Sequence, residues 1–407
     1  MSWGVKTINE LYSIKGGKRL PKGVMLQTTP NKHPYIRITD MKDGKVLNLV
    51  DSFMYVPEAV VSTISSYRVK QSDLILSIVG QIGSINIIGE TLDGANLTEN
   101  CVKLIPLSNT VDSNFVYYYL KSDEGQDKID QRVVGSTQPK LPIYNIQTLD
   151  IPFPPLPEQK AIASVLSSLD DKIDLLHRQN KTFEAMAETL FRQWFIEEEK
   201  EDWEKVTLGE VVNITSSKRI FYSEYVDEGI PFYRSKEIIE LNKSGQTRSD
   251  LFISNERFDE IEAKFGAPVE GDILLTSVGT LGVTYQVKAN DRFYFKDGNL
   301  TWFKDFKRIS SNIIFCWLNS KDGKEQLDNI SIGSTQAALT IQGLKSLELN
   351  LPSPDVIQKL DEQLVGIYQK VQANQSQIQT LENLRDTLLP KLMSGEVRVQ
   401  YQTEQVA

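Results

Sequence analysis

Cysteine and histidine are almost missing from this chain: Cys101, Cys316, His33 and His177 are all that 407 residues contain. With the thiols far apart and no Cys-x-x-Cys, neither a disulfide framework nor a zinc site has ligands to draw on. Histidine-based acid–base catalysis has equally little material. No apolar run approaches the roughly 18 residues that read as a membrane-spanning helix. The start, Met1-Ser2-Trp3-Gly4-Val5-Lys6, lacks the apolar centre of a signal peptide, so we expect a cytoplasmic protein with no membrane partner. A Walker A sequence is absent too, and ATP-driven movement is not expected of this chain.

What is present fits a globular protein. Hydrophobic residues make up 40% and charged residues 24%, enough for sizeable cores, and the length predicts two or three domains. A net charge of −9, from 45 basic and 54 acidic residues, argues on its face against a nucleic-acid partner. The charge is unevenly spread, however: the balance is +1 over residues 1–150 and −4 over residues 200–350. Before Val46 nine basic residues face three acidic ones, including the cluster Lys15, Lys18, Arg19 and Lys22.

The chain is written twice. At an offset of 200, Trp3-x-x-x-Thr7-x-x-Glu10 and Lys18-Arg19 recur as Trp203-x-x-x-Thr207-x-x-Glu210 and Lys218-Arg219. At 199, the run from Asp73 to Gly80 and Gly83 recurs from Asp272 to Gly279 and Gly282. At 198, Ser113-Asn114, Leu120, Ser122, Gly125, Asp130 and Gly135-Ser136-Thr137-Gln138 recur as Ser311-Asn312, Leu318, Ser320, Gly323, Asp328 and Gly333-Ser334-Thr335-Gln336. A period this long gives each copy its own core rather than a solenoid turn. Short β-branched runs between glycines read as strands. Phe115–Leu120 and Ile313–Leu318 lean to helix, with the stretches ending in Gly125 and Gly323 read as C-terminal stops. The copies diverge between about Pro21 and Lys70 and between Ile220 and Ala267.

Each copy ends in a different kind of segment. Beyond the cluster Pro152, Pro154, Pro155 and Pro157, residues 158 to about 195 lack proline and glycine. There Leu166, Leu169, Ile173, Leu176, Asn180, Phe183, Ala187 and Leu190 alternate spacings of three and four, a heptad seam. After Pro352 and Pro354 the seam returns as Leu364, Ile367, Val371, Asn374, Ile378, Leu381, Arg385 and Leu388. Two equivalent helices in one chain favour mutual pairing, with Asn180 and Asn374 as polar interruptions that fix register. Antiparallel pairing would relate the modules by a pseudo-twofold; the seam by itself also permits parallel pairing. The expected architecture is α+β: a first module with a mixed-sheet core over residues 1–155, a central long helix over 156–198, a second module over 199–352, a distal long helix over 353–393 and a polar tail over 394–407.

This arrangement resembles the specificity subunit of type I restriction-modification systems over nearly the whole chain. The resemblance is carried by Pro155-Leu156-Pro157-Glu158-Gln159-Lys160 opening the first helix and Leu190-Phe191-Arg192-Gln193-Trp194-Phe195 closing it. The paired Gly-Ser-Thr-Gln loops and Leu392-Met393-Ser394-Gly395-Glu396 after the last helix agree. One departure is Pro354-Asp355-Val356, where the family has Pro-x-x-Glu-Gln. The resemblance implies that the modules are target recognition domains, each reading half of a bipartite site in double-stranded DNA. It implies that the helices set the spacing and dock two methyltransferase subunits, with room for two motor-nuclease subunits. S-adenosylmethionine, ATP and magnesium would then belong to those partners, with no cofactor in this chain.

Sequence motifs for catalysis agree with a recognition role. The Asn/Asp-Pro-Pro-Tyr/Phe motif of adenine methyltransferases is absent, and Phe153-Pro154-Pro155-Leu156 has no amide at its head. Asp43–Lys45, Glu158–Lys160, Glu262–Lys264 and Asp322–Lys324 each match part of a nuclease metal site, but four matches to so short a pattern carry little. For DNA contact the candidates are Lys18, Arg19 and Arg37 in the first module and Lys218, Arg219 and Arg234 in the second. Gln138 and Gln336 join them on the Gly-Ser-Thr-Gln loops, where donors can reach phosphate. Solubilising surface is the plainer reading of any single Lys or Arg here, and a turn whose Gly and Ser satisfy only local backbone is that of the loops. Candidate partner-docking residues are Arg192, Gln193, Trp194 and Phe195, with core packing as the alternative for Trp194. A two-headed protein scaffold is the alternative that the acidic charge favours. Charge reversal of Arg19 and Arg219 separates the two: a DNA reader loses methylation by its assembled complex, measured on genomic DNA, whereas a scaffold is indifferent.

Overall fold

The computed structural model describes residues 3–41, 44–198, 203–333 and 337–400. They form two compact units, one of residues up to Leu175 with those from Gln377 onward, the other of Leu176–Ser376. Each unit holds one module and part of each long helix.

In the first unit an antiparallel pair, Gly4–Thr7 with Asp150–Phe153, closes the module's two ends on each other. Thr7 then starts a short helix through a capping box: Glu10 accepts from the Thr7 backbone N–H at 2.7 Å and its hydroxyl at 2.9 Å. The main sheet has the order Tyr12–Gly16, Cys101–Pro106, Leu74–Ser77, Ile85–Ile88, Val46–Leu47. Its first four strands pair antiparallel and the last pairs parallel. Leu74–Ser77 is buried on both faces, which explains its unbroken apolar run. Leu74 and Leu76 enter the core shared with the helices, and Ile75 enters a second core on the opposite face, as a period of two requires. A small sheet joins Met54–Tyr55 and Pro34–Ile36 of the diverged part to Asn96–Leu97, which lies beyond it.

The second unit repeats this plan. Glu204–Thr207 pairs with Glu348–Leu351, and Thr207 and Glu210 rebuild the capping box. Ile273–Thr276 again feeds two cores, Ile273 and Leu275 on one face and Leu274 on the other. The diverged segment differs most: the first module has a 3-10 stretch, Glu58–Tyr67, where the second has helices Ser235–Ser244 and Asn255–Phe265.

Phe115–Leu120 and Ile313–Leu318 are helical, within Ser113–Lys121 and Ser311–Asn319. The reading of Gly125 and Gly323 as stops needs correction. Ser122 and Ser320 end these helices and also cap the next ones, Asp123–Asp130 and Lys321–Asn329, by accepting from the N–H of Gly125 and Gly323. The glycines stand in the first turn because a Cβ there would lie 2.1 Å from the Tyr119 carbonyl oxygen and 2.0 Å from that of Trp317.

The long helices are Leu156–Arg192, extended by a wider turn at Gln193–Glu197, and Pro354–Ser394. At 1.5 Å per residue they span about 55 and 60 Å. Every seam position from Leu166 to Leu190 and from Leu364 to Leu388 is buried or half-buried. In the first unit Arg385 donates to Asp170 at 3.1 Å and Arg398 to Glu158. These contacts run in opposite order along the two segments. In the second unit Asn374 donates to Asn180 at 2.8 Å, and Leu360 and Leu364 share a core with Ala187 and Phe191. The pseudo-equivalent module-to-helix bonds are exchanged: Tyr118 donates to Asp170 at 2.6 Å in the first unit, whereas Cys316 on the module meets the Tyr368 hydroxyl on the helix at 3.0 Å in the second.

Gly125→Ala should therefore destabilise the protein by about 1–3 kcal/mol through overpacking against backbone. Gly366, exposed in the distal helix with nothing near its Cβ position, should gain up to about 1 kcal/mol as Ala. Chemical denaturation of the two variants measures both.

Candidate nucleic-acid interface

The first basic pair leaves its strand by a close backbone crossing. Beyond Tyr12–Gly16, a Cβ on Gly17 would sit 1.9 Å from the Thr98 carbonyl oxygen. The crossing is held by Gly17 N–H to Cys101 O at 2.9 Å and Lys18 N–H to Leu97 O at 2.8 Å. Tyr35 donates to the Lys18 carbonyl at 2.9 Å, and the Lys18 ammonium stands 5.7 Å from the centre of the Tyr67 ring. Arg19, 78% exposed, is paired with Glu99.

The second module reaches the same arrangement with other residues. The Tyr294 hydroxyl accepts from Lys218 N–H at 2.7 Å, and the Lys218 ammonium lies 5.1 Å from the Phe265 ring centre. Arg219, 67% exposed, donates to Asp297 at 2.7 Å. In both modules an aromatic face orients the lysine and one carboxylate orients the arginine, leaving most of each guanidinium in solvent.

Arg37 and Arg234 are held more firmly. Arg37 donates to Asp40 from its backbone N–H at 2.8 Å, from Nε at 2.9 Å and from Nη2 at 2.7 Å. Arg234 does the same to Glu237, with backbone N–H and Nη2 distances of 2.7 and 2.6 Å. The accepting carboxylates are buried, and each hydrogen-bonded ion pair holds its guanidinium above the usual arginine range. About a third of each arginine side chain stays accessible, at 34% and 36%. Arg37 also donates from Nη2 to the Ser52 carbonyl at 3.1 Å, and Arg234 pairs with Asp250 at 3.6 Å. The accessible part of a cation positioned in this way suits a bidentate acceptor such as two phosphate oxygens or a guanine edge.

Gln138 is exposed on a loop pinned by reciprocal Val134 and Lys140 backbone hydrogen bonds. Gly135 at that turn has φ of +90°, a conformation favouring glycine. Gln336 lies outside the described residues. Of the docking candidates, Arg192 pairs with Glu197 at 3.2 Å on the surface and Gln193 donates to Glu198. Trp194 is half-buried against the core. Phe195 is buried rather than presented at the surface: it is 5% exposed, stacks on Phe191 at 4.9 Å and meets the Trp203 ring edge-on at 5.9 Å.

The carboxylates that aim the arginines went unrecognised in the sequence, although Arg37-x-x-Asp40 and Arg234-x-x-Glu237 share one spacing. Among the described residues no group of three or more His, Cys, Asp or Glu side chains could hold a metal ion, and no helix is long and apolar enough to cross a membrane. Burial pushes the thiols of Cys101 and Cys316 up to about 12, which removes thiolate reactivity.

The type I restriction modification DNA specificity domain matches this chain twice, over residues 1–185 and 200–383. The chain belongs to this family: it is a type I restriction-modification specificity subunit carrying two DNA specificity domains. The MjaIX specificity subunit of Methanocaldococcus jannaschii is 24% identical across 98% of this chain and 94% of its own length. The EcoBI specificity subunit of Escherichia coli is 22% identical across 91% of this chain and 81% of its own. The crystal structure of the S subunit from M. genitalium superposes with a TM-score of 0.61 at 20% identity, covering 96% of each chain, a likeness of fold.

Glu237→Ala removes both the helix cap and the carboxylate that holds Arg234. It should cost about 1–3 kcal/mol in urea unfolding. Asp297→Asn, beside an exposed arginine, should cost less than about 1 kcal/mol.

Proposed function

We propose that each module reads one half of a split site in duplex DNA, with Lys18, Arg19 and Arg37 serving one half-site and Lys218, Arg219 and Arg234 the other. The observation that carries this reading is the recurrence of one device, a basic pair aimed by an aromatic ring and a carboxylate, in modules that otherwise diverge across the same segments. Unequal surroundings of equal anchors suit unequal half-sites: phosphate contacts position, and the diverged parts specify. The long helices act as the spacer and as the docking surface for two methyltransferase subunits, and Asn180 with Asn374 fixes their register. This chain supplies sequence and geometry. Adenine flipping and methyl transfer from S-adenosylmethionine take place on the partners, as do the ATP- and magnesium-dependent steps of any motor-nuclease subunits.

A scaffold joining two protein-binding modules is the second reading, favoured by the net charge of −9. The DNA-reader model instead expects the isolated chain to bind DNA weakly, with partner subunits completing a positive channel. Co-expression with the neighbouring methyltransferase subunit, followed by mapping of N6-methyladenine across the host genome, decides between them. A split motif that depends on this chain is expected. A stable complex without any motif would favour the scaffold. Removing one heptad from both long helices should change the spacing of the motif or abolish it, and unchanged spacing would end the spacer role.

A further inference from the structure

Exposed single apolar side chains are common on protein surfaces and ordinarily call for no explanation. Two are exceptional here. Tyr222, at 89%, and Met25, at 83%, are the most exposed large hydrophobic side chains among the described residues. They belong to different units, yet each follows the basic pair of its own module: Met25 six residues after Arg19, Tyr222 three residues after Arg219. Phe221, 63% exposed, stands beside Tyr222. The segments around them have no sequence similarity, so the shared feature is the placement of a bare apolar tip beyond two cations.

Neither tip sits on a slack loop. Ile220, 2% exposed, anchors the second turn. Glu224 accepts from Phe221 N–H at 2.7 Å and pairs with Arg257 at 2.8 Å, and Tyr225 meets the Tyr222 ring edge-on at 6.2 Å. In the first module Leu20 and Leu26 pack against the small core of Tyr35, Val56, Val61 and Ile64 on either side of Met25. Val24 N–H closes the turn onto Pro21 O at 3.1 Å, with Gly23 at φ +84°. Gln27 and Tyr55 exchange backbone hydrogen bonds just beyond it. A rigid turn whose anchors are buried and whose tip is not has the form of a tool rather than of a packing defect.

The charge around the tips selects the occupant. Residues 11–39 carry six basic side chains and no acidic one, and Lys218 and Arg219 precede Tyr222, with Glu224 (paired with Arg257), Asp227 and Glu228 after it. A polyanion presenting flat apolar faces between its charges matches that pattern, and duplex DNA is such a surface. We infer that Met25 in one module and Tyr222, supported by Phe221, in the other are wedges that enter the base stack of their half-sites while the neighbouring Lys-Arg pairs hold the flanking phosphates. Partial unstacking by an inserted apolar side chain bends the duplex toward the protein and reads the ease with which a base step opens. The wedges thereby add a shape term to recognition at positions where no hydrogen bond reads the base. This inference rests on the split-site reading above and adds a mode of contact to it.

The test uses the complete complex of this chain with its methyltransferase subunits and a duplex carrying the methylated motif, with 2-aminopurine placed at successive steps of one half-site at a time. Binding of the unaltered complex to its motif is measured first. Without it the split-site reading fails, and the wedges fail with it. Given binding, one step in each half-site should brighten on complex formation. Tyr222→Ala should abolish the signal in one half-site and Met25→Ala in the other, each weakening binding roughly ten- to hundredfold at fixed salt. Tyr222→Phe should retain both signal and affinity. The salt dependence should be unchanged in Tyr222→Ala and shallower in Lys218→Ala, since only the latter removes a phosphate contact. Unchanged affinity in both alanine variants overturns the inference while leaving the split-site reading intact, as does the absence of a bright step in either half-site. Loss of methyltransferase binding by Tyr222→Ala would also overturn it and assign the tip to a protein interface.

Discussion

Neither module buries its apolar surface alone, and the rest of the structure depends on that deficit. In the first unit the core around Phe115 and Tyr118 includes Leu166 from the central helix and Leu392 and Met393 from the distal one. In the second, the core around Ile313 and Trp317 includes Phe191 and Phe195 from the central helix and Leu360 and Leu364 from the distal one. Each fully buried leucine or phenylalanine of this kind is worth about 1.5–3 kcal/mol, so a module cut from its helix segments would lose a substantial fraction of ordinary domain stability. The long helices are core elements as much as connections.

The surface proposed to face DNA is built on the opposite principle. There the stabilising groups are carboxylates and aromatic rings that hold cations in the open: Glu99 and Asp297 on Arg19 and Arg219, Asp40 and Glu237 on Arg37 and Arg234. An acid beside a DNA-contacting arginine weakens its net attraction for phosphate but fixes its direction. For a reader of the kind proposed, working inside a larger assembly, direction matters more than bare charge, and an acidic chain is compatible with that role.

Much of this was legible in the sequence because duplication turns one weak pattern into two. The offsets near 200 located both modules. The three-and-four spacing placed both helices, and proline clusters marked where they begin. The reading failed at Gly125 and Gly323 because a glycine needed for close packing inside a first helical turn looks the same in sequence as one that ends a helix. The burial of Phe195 was not legible, because an aromatic at the end of a long helix carries no mark of which neighbour covers it. Met25 and Tyr222 were passed over for a related reason: apolar residues are read as interior by default, and only the fold shows which remain outside.

The exchanged pair at the module–helix contact has its own consequence. In the first unit the tyrosine stands on the module and its acceptor, Asp170, on the helix; in the second the tyrosine, Tyr368, stands on the helix and faces Cys316. A hybrid that kept the modules but traded these helix faces would press Tyr118 against a second tyrosine and set a half-buried carboxylate beside a thiol. Each module thus needs the helix surface that fits it, and the workable boundary for exchanging modules runs through the helices rather than at the ends of the globular folds.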